Sequence, residues 1–134
     1  MEVAVSYKLR VDEKTVFEKH RFINSQGHSE CVEFIRQTTG APHTSVWAPG
    51  IKLSDAKPGD IPRGTAIATF DANKRSPTDT LGKHAAIYLE HNEVRMVVLD
   101  QWKALDRVQR REIKFKQGKG VRRSNNADTF WVIE

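Results

Sequence analysis

Residues 84–100 read HAAIYLEHNEVRMVVLD, and this stretch decides the fold class. Two apolar, β-rich runs, 84–89 and 94–99, lie on either side of the turn formers His91 and Asn92, a pattern typical of two paired antiparallel strands. Further runs of the same kind extend the predicted pairing to a mainly antiparallel sheet of five or six strands. They lie at residues 3–11, 65–70, 111–115 and 129–133.

Helices are predicted mainly in the N-terminal third of the chain. Ser29 is a good N-cap and Gly40 is a stop signal, so residues 30–39 are expected to form a short helix that opens at Cys31. Residues 12–23 are compatible with a further helix. The expected buried face of the helix at 30–39 consists of Cys31, Val32, Phe34 and Ile35. The fold class is therefore α+β, in a single domain over residues 1–134.

Two segments are predicted to be irregular. Residues 41–64 are punctuated by prolines and glycines, and residues 73–77 are interpreted as an exposed hairpin loop. Trp47 and Trp131 are interpreted as core or groove-wall residues, since neither belongs to an alternating basic and aromatic pattern.

Composition and charge limit the class of protein. The chain has 134 residues, 38% hydrophobic and 29% charged, which are ordinary values for a soluble globular domain. No apolar window approaches the length of a membrane span, and the charged first 20 residues do not resemble a Sec signal peptide. The net charge of +5 originates in residues 101–134, so this part is compatible with binding nucleic acid, an anionic envelope polymer or an acidic protein.

The single cysteine, Cys31, excludes an internal disulfide and an all-cysteine zinc site. His28 stands three residues before it, but two ligands do not close a zinc site, so neither a metal nor a cofactor is predicted. A thiol attacks as the thiolate, and the first turn of a helix favours negative charge. Its position makes Cys31 a candidate nucleophile.

A nucleophilic cysteine needs a base and a polar group that orients the base. His84 begins one predicted strand, and the next strand ends at Asp100 and Gln101, so the hairpin brings this end close to the imidazole. Because side chains alternate, Asp100 and Gln101 point to opposite faces, and the sequence leaves open which of them meets His84. Asp100 is favoured, since a carboxylate stabilises an imidazolium better than a carboxamide does.

Four short stretches resemble the CHAP and NlpC-type cysteine amidohydrolases, which are papain-like peptidoglycan hydrolases. They are ECVEFIR at 30–36, PRGTAIA at 62–68, GKHAAIY at 82–88 and VLDQW at 98–102, and the resemblance covers residues 24–133. It implies a papain-like core in which the helix bearing Cys31 packs on the sheet bearing His84. One residue departs from the pattern, because many CHAP proteins carry Gln directly before the cysteine and this chain carries Glu30.

The resemblance also implies roles for individual residues. Cys31 matches the nucleophile, His84 the base and Asp100 the third member of the site. The oxyanion of the reaction would be held by the backbone N–H of Cys31 and a second donor, for which Gln26 and Asn24 are candidates. Trp102 would shield the hydrogen bond between His84 and Asp100.

The function implied is hydrolysis of amide bonds in the stem peptides of bacterial peptidoglycan, by a monomeric cysteine amidase or endopeptidase. Synthesis in the bacterial cytoplasm, non-Sec delivery and action in the periplasm or cell wall fit an antibacterial effector or lytic enzyme. A cognate inhibitor protein in the producing cell would then be expected. The alternative is a papain-like binding module without activity, or a basic domain that binds nucleic acid through residues 103–123.

Overall fold

The computed structural model describes residues 2–71 and 83–134, which form two helices and one six-stranded sheet. The helices are α1 (Glu13–Lys19) and α2 (Cys31–Thr39). The strands are β1 (Pro49–Lys52), β2 (Thr65–Thr69), β3 (Ala85–His91), β4 (Arg95–Asp100), β5 (Gln109–Lys114) and β6 (Phe130–Ile133). The predicted α+β class is confirmed. The loop predicted at 73–77 lies outside the described residues.

All pairings in the sheet are antiparallel, with the strand order β1-β6-β2-β3-β4-β5. Strands β2 to β5 form a meander, because each pairs with the next one along the chain. Strand β6 then returns to the other edge of β2, where Val132 pairs with Ile67. The last strand therefore closes on the middle of the sheet instead of extending the meander.

The strand predicted at 3–11 is not present as a regular strand. Val3, Val5, Tyr7 and Leu9 are half-buried between exposed neighbours, so the alternation of the sequence is real. This segment nevertheless makes a single bridge to the sheet, between Lys8 and Thr65. Because β6 occupies the same edge of β2 from Ile67 onward, only the beginning of β2 is left for it.

Strand β1 was not predicted, because it lies inside residues 41–64, which were predicted to be irregular. Pro49 pairs with Ile133 and Lys52 with Trp131, and the register shifts between these two pairs. A proline is tolerated here because β1 is the edge strand, where one row of backbone N–H groups has no partner strand. The prolines and glycines of this segment therefore led the prediction to miss a short edge strand.

Helix α2 packs against β3 and covers one face of the sheet. Phe34 and Ile35 are fully buried, and small residues of the sheet beneath them, Ala66, Ala68 and Ala85, allow a close approach of helix and strands. The opposite face of the sheet is covered by a second apolar cluster that includes Leu53, Tyr88 and Phe130. Among the described residues, no helix has the length and apolar character to cross a membrane.

Helix α2 begins at Cys31, as predicted, but its N-cap is not the predicted Ser29. The N-cap is Glu30, and Ser29 is buried one position earlier. The helix ends at Gly40, whose φ of 75° is left-handed, as the stop signal predicted. Cys31 and Val32 were expected in the buried face but are only half-buried, because they line a cavity where β2 ends and β3 begins.

Candidate active site

His84 and Asp100 form a buried hydrogen-bonded pair at one end of the sheet. Asp100 ends β4, and His84 directly precedes β3, where its backbone bonds to Thr69 in both directions. His84 Nε2 lies 2.7 Å from Asp100 Oδ2, and the two side chains are 5% and 0% exposed. The predicted contact between His84 and Asp100 is therefore present, and the ends of β3 and β4 position the two side chains.

Gln101 points to the opposite face of the sheet from Asp100, as strand alternation requires. Its carboxamide bonds to the backbone of Phe22 in both directions, at 3.0 and 2.7 Å, and donates to the Glu30 carbonyl at 2.9 Å. Gln101 therefore ties the segment that precedes α2 to the end of β4. Asp100, not Gln101, is the residue that contacts His84.

Arg111 is a site residue that the sequence did not reveal. It lies on β5, and its Nε donates to Asp100 Oδ2 at 2.7 Å, the same oxygen that His84 uses. Its terminal nitrogens donate to Asn125 Oδ1 at 3.0 Å and to the Ser124 carbonyl at 2.8 Å. The other carboxylate oxygen, Oδ1, is buried and accepts no hydrogen bond among the described residues. Asp100 thus depends on two donors that share one oxygen.

The charges of this cluster hold a proton on His84. Burial disfavours the imidazolium, but hydrogen bonds and charges from Asp100 and Cys31 outweigh burial and raise the pKa of His84 from 6.5 to about 9. For Asp100 burial also favours the neutral form, but the hydrogen bond from His84 and the charges of His84 and Arg111 keep the pKa of this carboxyl below its usual value. Near neutral pH the pair is an imidazolium and a carboxylate.

Cys31 faces the imidazole across a small cavity of about 140 Å³ that both residues line. The interaction of the thiol with the imidazole contributes to the raised pKa of His84. With Nε2 committed to Asp100, Nδ1 is the ring nitrogen that remains for the thiol. Trp47 and Phe70 form apolar walls of the cavity, so Trp47 takes the predicted position of a groove wall.

This cavity, called the Cys31 cavity below, is the middle of three depressions that adjoin one another. Phe70 also lines a depression of about 560 Å³ that extends to Trp131. On the other side, His84 also lines a cleft of about 350 Å³ that extends to Trp102. The Cys31 cavity thus shares Phe70 with one neighbour and Lys83 and His84 with the other.

The remaining candidate residues lie around this centre. The Trp102 ring centroid is 6.2 Å from that of His84, in an edge-on arrangement, and the tryptophan is 36% exposed. Asn24 Oδ1 accepts from the backbone N–H groups of Gln26 and His28, so its side chain organises the turn ahead of α2. Neither Asn24 nor Gln26 is among the described residues that line the Cys31 cavity, and their role as oxyanion donors stays a prediction.

A second buried histidine, His91, shows what a structural histidine looks like in this fold. Its Nε2 donates to the Ala56 carbonyl at 2.9 Å, and its Nδ1 accepts from the Tyr88 hydroxyl at 2.6 Å. Burial raises the pKa of Tyr88 to about 12, so this hydroxyl keeps its proton. Both ring nitrogens are occupied, whereas His84 keeps one nitrogen for the thiol. Within residues 2–71 and 83–134, His, Cys, Asp and Glu form no cluster of three or more that could hold a metal ion.

Comparison with protein families gives one match that spans almost the whole chain. The model of domesticated amidase effector 2 (Dae2) matches residues 2–133. The chain belongs to this family. The family that matches is Dae2. The resemblance to the CHAP and NlpC-type enzymes stays a prediction.

Individual relatives of this Dae2 family chain agree with the assignment. A type VI secretion amidase effector 2 protein of Salmonella typhi is 35% identical over 117 residues, which cover 80% of this chain and 86% of the relative. Domesticated amidase effector 2 of Ixodes scapularis is 32% identical over 117 residues, which cover 85% of this chain and 77% of the relative. The solved structure of type 6 secretion amidase effector 2 (Tae2) superposes with a TM-score of 0.74 at 30% identity, covering 94% of this chain and 93% of its own.

Proposed function

We propose that this Dae2 family protein is a cysteine amidase or endopeptidase that hydrolyses amide bonds in the stem peptides of bacterial peptidoglycan. The observation that carries the proposal is the Cys31 cavity, where the thiol meets an imidazole whose other nitrogen is bonded to Asp100. The names of the relatives, which call them amidase effectors, support the same reaction class. We further infer that the catalytic arrangement is of the CHAP and NlpC type.

The first half of the reaction is attack by the thiolate. Cys31 Sγ forms a bond to the amide carbonyl carbon, while the imidazolium of His84 stands beside it. The developing oxyanion lies at the N-terminus of α2, where the backbone N–H of Cys31 has no acceptor within the helix. Gln26 or Asn24 supplies the second donor in this proposal. When the intermediate collapses, the C–N bond breaks and His84 gives its proton to the leaving amine.

The second half releases the acyl group from the enzyme. His84, now neutral, takes a proton from a water molecule, whose oxygen attacks the thioester carbon. The C–S bond then breaks, Cys31 leaves as the thiolate, and His84 is again an imidazolium. Asp100 holds the imidazole through Nε2 in both steps, and Trp102 covers the edge of this pair.

The shape and charge of the molecule fit an extended anionic polymer. Three adjoining depressions run to either side of the thiol, which suits a peptide bound in an extended conformation. The net charge of +5 attracts an anionic cell wall.

The proposed setting is that of an antibacterial effector. Two of the relatives carry the name of type VI or type 6 secretion effectors, so delivery by a non-Sec route and action in the periplasm or cell wall are proposed for this chain. The protein acts as a monomer in this proposal. A cognate inhibitor that covers the Cys31 cavity would protect a producing cell.

The test is digestion of purified peptidoglycan followed by mass analysis of the products. The wild type is expected to release peptide fragments with one new carboxylate and one new amine. Cys31→Ala removes the nucleophile and is expected to abolish cleavage, and His84→Ala is expected to reduce it by about 100-fold or more. His20→Asn is the matched control, because His20 is an exposed histidine that lines none of the three depressions.

Two outcomes contradict the proposal. Cleavage that survives Cys31→Ala means that another group is the nucleophile. Absence of cleavage by the folded wild type, combined with salt-sensitive binding to DNA, supports the alternative of a basic binding module.

A further inference from the structure

The cleft beside His84 is lined by basic side chains and lies on the side away from the thiol. It holds about 350 Å³, and Lys83, Arg111 and Arg122 line it together with His84 and Trp102. Cys31 does not belong to the described lining of this basic cleft, whereas His84 lines both the cleft and the Cys31 cavity. Lys83 also lines both, so the two spaces adjoin at His84 and Lys83.

The cations of this region differ in whether they already have partners. Arg111 uses all three of its nitrogens on protein oxygens. Arg123, next in the chain to Arg122, pairs with Asp71 at 2.8 Å. Arg122 and Lys83 are exposed and form no hydrogen bond or ion pair among the described residues.

The cleft consequently presents to solvent two cations that have no partner within residues 2–71 and 83–134. The described residues that line it include no Asp or Glu. Arg111 also lines the cleft, but Asp100 compensates its charge; its guanidinium lies 5.5 Å from the centroid of the Trp102 ring. A concave surface with one sign of charge concentrates anions, and a guanidinium binds a carboxylate through two parallel hydrogen bonds.

The direction of the reaction assigns this cleft to one part of the substrate. The acyl part becomes bonded to Cys31 and stays in the Cys31 cavity, while the amine leaves after it receives a proton from His84. Because the basic cleft adjoins the Cys31 cavity at His84, this mechanism directs the part of the substrate beyond the leaving amine into the cleft. An anionic group on that part is then close to both free cations.

We propose that Arg122 and Lys83 bind a free carboxylate on the amine side of the scissile amide, and that this contact selects the substrate. The proposal rests on the proposed function, since it takes the position of the leaving amine from that mechanism. It adds the chemical class of the substrate: an amide whose amine component carries an unamidated carboxylate.

The test compares two synthetic stem peptides that differ in one group. In one peptide the residue that supplies the leaving amine carries a free carboxylate, and in the other it carries a primary carboxamide. The wild type is expected to cleave the carboxylate peptide with about tenfold higher kcat/KM, the range of one charge-assisted hydrogen bond. Arg122→Gln is expected to lower kcat/KM for this peptide alone, and Lys83→Gln to do so to a smaller extent.

A matched variant removes the same charge elsewhere. Arg107 is exposed and is not among the residues that line the cleft, so Arg107→Gln is expected to keep the preference of the wild type. Equal cleavage of both peptides by the wild type, or a preference that survives in Arg122→Gln and in Lys83→Gln, overturns the inference and leaves the hydrolase function intact.

A binding measurement keeps the two proposals distinguishable. Both peptides are titrated into Cys31→Ala, with and without Arg122→Gln, and followed by calorimetry. If the wild type cleaves neither peptide, the hydrolase function fails and binding decides about the cleft. Tighter binding of the carboxylate peptide that Arg122→Gln removes supports the carboxylate site, and equal binding of the two peptides overturns it.

Discussion

The Asp100→Asn variant tests whether a carboxylate keeps the proton on His84. In the wild-type protein burial disfavours the imidazolium, and the hydrogen bonds and charges of Asp100 and Cys31 overcome burial to raise the pKa of His84 to about 9. Asparagine has the size of aspartate and an oxygen that accepts from Nε2, but it carries no charge. Burial then becomes the dominant influence, so the pKa of His84 is expected to fall.

This change has a consequence for stability. Because the folded-state pKa of about 9 lies above the ordinary value of 6.5, the protonated imidazole of His84 stabilises the fold. The stabilisation is fully present below pH 6.5 and is lost as the pH rises through 9. At about 1.4 kcal/mol per pKa unit, the interval corresponds to ~3 kcal/mol, which is the net result of burial opposed by Asp100 and Cys31 together.

The assay is unfolding by urea at several pH values between 6 and 9.5, together with NMR titration of the histidine ring protons. The wild type is expected to lose up to ~3 kcal/mol of unfolding free energy over this interval, and Asp100→Asn to lose much less. A parallel pair of variants in a Cys31→Ala background removes the ionisation of the thiol from the comparison. The reasoning is refuted if wild type and Asp100→Asn lose the same free energy, or if the His84 resonance titrates at the same pH in both.

Two further substitutions probe the residues around this pair. Gln101→Leu leaves buried backbone groups without their hydrogen-bond partners, so the free energy of unfolding is expected to fall by about 3 kcal/mol, measured by urea titration; an unchanged midpoint would disprove its anchoring role. Arg111→Met keeps the length of the side chain but deprives Asp100 of one of its two donors. The free energy of unfolding is expected to fall by about 2 kcal/mol, and kcat is expected to fall more than KM changes. A variant that loses neither stability nor turnover would show that His84 alone holds Asp100 in place.

The order of strands could be predicted only where local pattern and chain order agree. The hairpin of β3 and β4 follows from two apolar runs and a turn, and it is present in the structure. The segment 3–11 has the right alternation, but its place beside β2 is mostly taken by β6, which arrives from the far end of the chain. Local sequence propensity does not reveal this competition between two segments for one strand edge, because the competition depends on contacts between residues that are distant in sequence.

The candidate site shows the same division. Cys31, His84 and Asp100 each stand at the end of a predicted element, and the structure brings the three together. Arg111 was not predicted as a site residue, because it lies in the middle of β5 among several other charged residues, and nothing in the nearby sequence distinguishes it from them. Only the pairing of β4 with β5 places its guanidinium against Asp100.

By itself the amino-acid sequence determined which groups stand at the ends of helices and strands, since period and capping signals are local. It also determined that neighbours such as Asp100 and Gln101 face opposite sides. Tertiary structure decided which side is which: α2 lies on the face of Gln101, so the carboxamide anchors the helix and the carboxylate is left for His84. The physical reason is that alternation sets relative orientation only, and the packing partner of each face is chosen by burial across the whole chain.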